Sequence, residues 1–380
     1  MNFDRLTDFL EWLVEWRIPG VDIMVDKDGE TVYRHQAGYK NREKGIKMQG
    51  DELYQIYSAT KVVTCAAALT LYEKGAYLLS DPVSNFIPEY AHLTVDHVNK
   101  NGIVVNEPAR NVMTIRDLFC MTSGFTYDMN TEAIRDLIAR TDGRTPTLEL
   151  AKTLAKQPLA FEPGTYWRYS LSHDVLAAVV EVIAGMPFRD YVKKAIFDPC
   201  GMTESSFRFT PEQEPRLASQ YMFNKEKGVY ENIGQGNYCV LGTEHDSGGA
   251  GMVTSVEDYM RFARMMTRKG LADSGERVLS PGTVDLMRTN HLHGQQLESF
   301  DWARFQGYGY GLGVRTMMDR SITGSTGPVG EFGWGGAAGA YVLLDPENGV
   351  TAYYAQQMRN NHEDFIHPRL RNLIYACLEL

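Results

Sequence analysis

Leu6, Phe9, Leu10 and Leu13 recur at the three- and four-residue spacing of one helix face, and the run stops before Pro19-Gly20. Two alternating apolar and polar runs follow in VDIMVDKDGETVYRHQAGY and meet at Asp28-Gly29, which predicts a β-hairpin. The far end of the chain mirrors the near one. AYVLLDPENGVTAYYAQQM alternates on either side of an Asp345–Gly349 turn. Leu370, Leu373, Ile374, Cys377 and Leu378 then mark one side of a final helix. Each terminus supplies a helix and antiparallel strands, so the economical assembly is a single sheet built from both chain ends, with helices on its faces.

Between about residues 80 and 284 the pattern becomes largely helical, with Gly- and Pro-rich connections. Thr114 is placed to cap a helix through IRDLFCM that stops at Thr122-Ser123-Gly124. Val175, Leu176, Val179, Val180 and Ile183 predict another, begun at Ser172 or Asp174 and closed by Gly185. The expected fold is α/β (α+β): a discontinuous sheet domain from 1–79 and 285–380, interrupted by a mainly helical domain from 80–284. The active site belongs in the cleft between them.

Charge narrows the partners. The net charge is −10 and no basic stripe exists to track phosphates, so nucleic acid is not an expected partner. No stretch reaches the roughly 18 apolar residues of a membrane span. The first helix lacks a basic leader and is broken by Asp8, Glu11 and Glu15, so it does not read as an export signal; a cytoplasmic location is expected. The five cysteines are scattered, odd in number and without a CxxC pair, which suggests core packing rather than disulfides or zinc. His362 and His367 lie five apart, roughly 140° around a helix, and His291 and His293 only two apart in a loop-like stretch. Neither pair suggests a metal, and no cofactor is expected.

One stretch is chemically odd. In YSATKVVTCAAAL a serine, Ser58, opens a helix and Lys61 follows three residues later, with almost wholly apolar turns beyond. Side chains three apart on a helix share a face, so the lysine would lie buried beside the hydroxyl. Desolvation favours the neutral amine, a base able to activate an otherwise weak serine nucleophile. Backbone N–H groups of the first helical turn are free to hold an oxyanion there. The spacing alone proves little. At roughly 5% for each residue type, S-x-x-K arises about once by chance in a chain of this length, and Ser58 would serve equally as a helix cap. The serine-hydrolase elbow G-x-S-x-G is absent.

Two further stretches bear on it. FEPGTYWRYSLSHD places Tyr169 at a loop-to-helix junction, where its hydroxyl can relay protons or simply pack against Trp167. GEFGWGGAAGA runs glycine-rich into the C-terminal hairpin, as an edge strand at a cleft would if Ala337 N–H had to meet a substrate oxygen, or as an ordinary turn with a packed Trp334.

Together these segments resemble the penicillin-recognising serine enzymes that carry S-x-x-K. YSATK, FEPGTYWRYSL and GWGGAAG look more narrowly like the family VIII carboxylesterases, the esterase branch related to class C β-lactamases. MTIRDLFCMTSG, GGAGM and GYGYGLG match as well, and the resemblance runs in order over about residues 15 to 360. It implies a β-lactamase/transpeptidase-like fold, Ser58 as acylated nucleophile, Lys61 as its base and Tyr169 as proton relay. The N–H groups of Ser58 and Ala337 would form the oxyanion hole. Trp334, Gly335 and Gly336 would border the substrate, and the segments 126–130, with Tyr127, and 221–224 would line the acyl pocket.

Departures from the lactamase pattern guide the substrate. Position 171 is Leu where that pattern has Asn, and Trp334 stands where it has Lys. Loss of a charge-assisted hydrogen bond of about 1.5–3 kcal/mol weakens anionic substrates by roughly one to two orders of magnitude. A small neutral ester, cleaved through an acyl-enzyme, is therefore expected. The alternatives are a β-lactamase or D-peptidase/D-amidase of the same fold, and, from another class, a non-hydrolytic sensor that stays acylated.

Overall fold

The computed structural model describes all 380 residues. Its centre is an eight-stranded antiparallel sheet: β1 (Gly20–Lys27), β2 (Glu30–Asn41), β3 (Ile46–Lys47), β4 (Tyr308–Tyr310), β5 (Arg315–Met317), β6 (Phe332–Gly333), β7 (Tyr341–Asp345) and β8 (Val350–Gln356). The order is β4-β5-β6-β7-β8-β1-β2-β3, so the two chain ends meet where β8 pairs with β1, Ile23 opposite Tyr354. Both hairpin turns fall where the alternation breaks, at Asp28-Gly29 and between Asp345 and Val350.

Helices α1 (Asp4–Trp16) and α6 (Glu363–Leu378) cover one face. Leu6, Leu10 and Leu13 of α1 join Ile366, Leu370 and Ile374 of α6 on Val21, Ile23 and Val25 of β1. The opposite face carries α5 (Val256–Thr267), where Tyr259 stacks on Tyr353 of β8 at 4.1 Å. The alternation in β1 therefore does not mean one wet face. Asp22 and Asp26 are fully buried under α5, each met by an arginine, Arg34 and Arg264 respectively.

Helices α2 (Thr60–Glu73), α3 (Ile115–Phe119) and α4 (Ser172–Ala184) form the second layer. Thr114 caps α3 in a reciprocal capping box with Asp117. Gly185 closes α4 in the left-handed region (φ 65°). α2 is apolar all round and buried from Thr60 to Leu71, as a helix at the centre of a core must be. The middle of the chain is not wholly helical. Two hairpins, Thr94–Val98 with Val104–Pro108 and Tyr221–Asn224 with Val229–Asn232, project from it. No helix is long and apolar enough to cross a membrane.

Candidate active site

Ser58 lies in a single 3₁₀ turn, Tyr57–Ala59, that feeds α2. Its hydroxyl caps nothing; the contact it makes is with Lys61 Nζ, at 3.3 Å. The preceding Tyr57 holds a positive φ of 46°, a strained conformation for a bulky residue. Burial of its ring and a 2.5 Å hydrogen bond from its hydroxyl to Gln220 keep it there, and the turn presents Ser58 to the cleft.

Lys61 is fully buried. Its ammonium donates to Gly249 O at 2.6 Å and contacts Ser58 Oγ and Tyr127 Oη at 3.3 and 3.4 Å. No carboxylate lies within 4 Å of it, although the chain forms many ion pairs elsewhere. Tyr127 and Tyr169 stack in parallel, 5.4 Å apart, and Lys61 sits 4.6 Å from the centre of the Tyr169 ring. Tyr169 thus offers the lysine its face, while its hydroxyl accepts a hydrogen bond from Trp334 Nε1 at 3.3 Å. The phenol within reach of the ammonium is that of Tyr127, which burial pushes well above the usual range.

At Phe332–Gly333 the glycine-rich segment lies inside the sheet, between β5 and β7. Beyond Gly333 it stays paired to β7 on one side only, as an edge does, with Val342 N–H donating to Trp334 O and Gly336 N–H to Ala340 O before Gly339 N–H turns back to Gly336 O. Gly336 lies so near the turn before Ser58 that a Cβ on it would meet Ile56 O at 2.1 Å. Only glycine allows that approach. It brings Ala337 beside Ser58 on one cavity wall, with neither N–H engaged by a protein acceptor. Asn361, a residue without a local sequence signal, fixes the segment by donating to Ala337 O at 3.0 Å.

A cavity of about 130 Å³ runs from Ser58 along Trp334, Gly335, Gly336 and Ala337, walled by Tyr169, Trp302 and Phe305. Arg304, paired with Glu363 and Asp364, and Arg315, paired with Glu331, line it as well. Leu171 is buried in the core and offers the cleft no amide. Tyr221–Asn224 does not line this cavity, contrary to expectation. It pairs in its own hairpin, and the Tyr221 hydroxyl donates to Glu43 at 2.8 Å. The five cysteines are free and buried. His367 packs against Tyr341 with Nε2 3.4 Å from Gly339 O, and no group of three His, Cys, Asp or Glu side chains converges.

Beneath Lys61 lies a polar layer that local spacing does not reveal. His173, on α4, is buried against Phe119 O at 3.1 Å; burial first, and the charge of Lys61 second, lower it to about 3. Asp174 accepts from Ser247 Oγ at 2.7 Å, and His245 Nε2 lies 3.6 Å away. The sequence hint was the run Gly248–Met252, whose glycines let this loop pass between α2 and α4.

A sequence model of the family described as Beta-lactamase matches residues 6–376. Protein Rv1367c of Mycobacterium tuberculosis is 32% identical over 348 residues, covering 90% of this chain and 86% of that protein. Esterase EstB of Burkholderia gladioli is 28% identical over 364 residues, covering 90% and 87%. Among solved structures, EstCE1, described as a hydrolase with promiscuous acyltransferase activity, superposes with a TM-score of 0.80 over 98% of both chains at 24% identity.

Proposed function

The chain belongs to the beta-lactamase family and is a serine hydrolase of that fold, and from this premise we propose that it is a carboxylesterase working through an acyl-enzyme on Ser58. The observation that carries the reading is the buried Lys61, 3.3 Å from Ser58 Oγ and without a carboxylate partner. An amine in that setting takes the hydroxyl proton as Oγ bonds to the ester carbonyl carbon. The carbonyl electron pair moves onto oxygen, where the free N–H groups of Ser58 and Ala337 receive the charge. Collapse breaks the bond to the leaving alkoxide, which takes its proton from the Lys61 ammonium. Tyr169, its ring face to the lysine and its hydroxyl turned to Trp334, borders the cleft and does not relay that proton. Water, or an acceptor alcohol, then repeats the sequence on the acyl-enzyme.

The aromatic wall of Trp334, Trp302, Phe305 and Tyr169 supports a neutral acyl group. Burial of Leu171, where a lactamase carries an amide, speaks against β-lactam and D-peptide substrates. The name of EstB agrees with ester hydrolysis, and the description of EstCE1 as a hydrolase with promiscuous acyltransferase activity agrees with hydrolysis and acyl transfer.

The test is intact mass after a small fluorophosphonate, with p-nitrophenyl ester turnover, for wild type and Ser58→Ala. One adduct and ester turnover, both lost in the variant, are expected. An adduct or turnover surviving the substitution overturns the assignment, and a permanent acyl adduct without product release would mark a sensor.

A further inference from the structure

Asp174 stands in the first turn of α4, only 2% exposed. Its Oδ1 accepts from Ser247 Oγ at 2.7 Å and from Gly249 N at 3.5 Å, with His245 Nε2 at 3.6 Å. The tautomer of His245 is fixed by the Leu241 N–H, which donates to Nδ1 at 3.0 Å and leaves the proton on Nε2, facing Asp174. Oδ2 has no hydrogen-bond partner. It lies against the α-carbon of Gly249, where a Cβ would meet Oδ2 at 2.6 Å and Lys61 Nζ at 3.3 Å. The carboxylate and the ammonium therefore face one glycine, whose carbonyl bonds Lys61 and whose amide leans on Asp174. Any side chain at 249 would force them apart.

Of the groups around Lys61, Asp174 is the carboxylate. Burial pushes the Tyr127 phenol and the Cys65 thiol well up and raises Cys239 to about 11, while His173 is driven down to about 3, so these four stay neutral. Tyr169 presents its ring face to the ammonium. Burial opposes ionisation of Asp174 too, but His245, Ser247 and the Lys61 charge outweigh it and hold the carboxyl below its ordinary value.

We propose that Asp174 is a positioning residue for Lys61: through the Ser247–Gly249 loop it sets the carbonyl that orients the amine, and its charge stabilises the ammonium formed when Lys61 takes the Ser58 proton. This is the relation of carboxylate to base in a Ser-His-Asp triad, with a glycine peptide in place of a direct hydrogen bond. It rests on the serine-hydrolase reading with Lys61 as base.

The test compares kcat, KM and the pH dependence of kcat/KM for wild type, Asp174→Asn and Ser247→Ala on one p-nitrophenyl ester, with melting temperatures alongside. Asp174→Asn keeps the shape and removes the charge. A fall in kcat of about 10- to 100-fold is expected, with KM within about twofold and the ascending limb displaced about one unit to lower pH, since the charge that favours the ammonium is gone. Ser247→Ala loosens the carboxylate without discharging it, and should lower kcat about 3- to 10-fold with the limb in place. An unmoved limb and kcat within twofold in Asp174→Asn overturn the proposal. Were that variant to unfold, an unchanged kcat in Ser247→Ala would overturn it. Wild type without ester turnover would instead sink the esterase reading, a separate result.

Discussion

Of the three cationic side chains buried in this molecule, Arg315 and Lys61 are treated oppositely by the protein. Arg315, in β5 and 1% exposed, gives Nη2 to Glu331 at 2.6 Å and to the Tyr341 hydroxyl at 2.7 Å. Lys61, at 0%, meets only neutral oxygens, and its nearest carboxylate stands behind a glycine. A cation that has to remain charged inside a protein needs an opposite charge in contact. One that has to exchange a proton is better left without such a partner, because a direct ion pair would fix it as ammonium. On the proposed mechanism, the contrast sets a structural cation beside one that exchanges a proton.

The largest effect should come from replacing each cation by methionine. Lys61→Met substitutes an apolar chain of similar length in an apolar helix, so unfolding in urea should change by less than about 1 kcal/mol, while kcat for ester hydrolysis falls by about 10³-fold or more. Arg315→Met leaves Glu331 buried beside no cation and should cost about 3–5 kcal/mol of stability. The double variant Arg315→Met/Glu331→Gln should recover part of it. A Lys61→Met protein that loses stability as Arg315→Met does would erase the distinction.

A smaller effect tests the lip of the site. Trp334→Lys places a cation where the wall is neutral, and the new ammonium can still donate to the Tyr169 hydroxyl that the indole bonds at 3.3 Å. Relative turnover of a carboxylate-bearing ester over its neutral analogue should rise by roughly 10-fold, from a charge-assisted hydrogen bond of about 1.5–3 kcal/mol. If selectivity stays put, the aromatic wall is not what sets the substrate charge.

What the sequence disclosed about these places follows from range. Ser58 and Lys61 are three apart on a helix, so their contact is local and readable from spacing. The sheet was likewise legible, since each hairpin carries its own alternation and turn. Nothing local announces that Lys61 bonds a carbonyl 188 positions away, or that Asp174 and Ser247, 73 apart, close on it. Tyr169 was legible as a residue but not as an orientation: its hydroxyl turns to Trp334 because a stack with Tyr127 sets its ring. The alternation in β1 hid a second buried face for a related reason. Asp22 and Asp26 alternate like solvent-facing positions, and only the later arrival of α5, with Arg264, turns that face into core.

The smallest effect concerns the buried imidazole beneath Lys61. His173 is held neutral, lowered to about 3 by burial first and by the Lys61 charge second. The unfolded chain takes up a proton below about pH 6.5 that the folded protein refuses, so this contribution is whole above that pH and declines as pH falls toward about 3. At pH 5 the histidine should subtract about 2 kcal/mol from the stability measured at pH 7. His173→Gln, which can still donate to Phe119 O, should remove that part of the acid sensitivity in urea titrations at the two pH values. Lys61→Met should reduce it as well, because the charge that depresses the imidazole is gone. An acid sensitivity identical in all three proteins would mean that the ammonium does not reach His173, and that the two bases beneath Ser58 titrate without regard to each other.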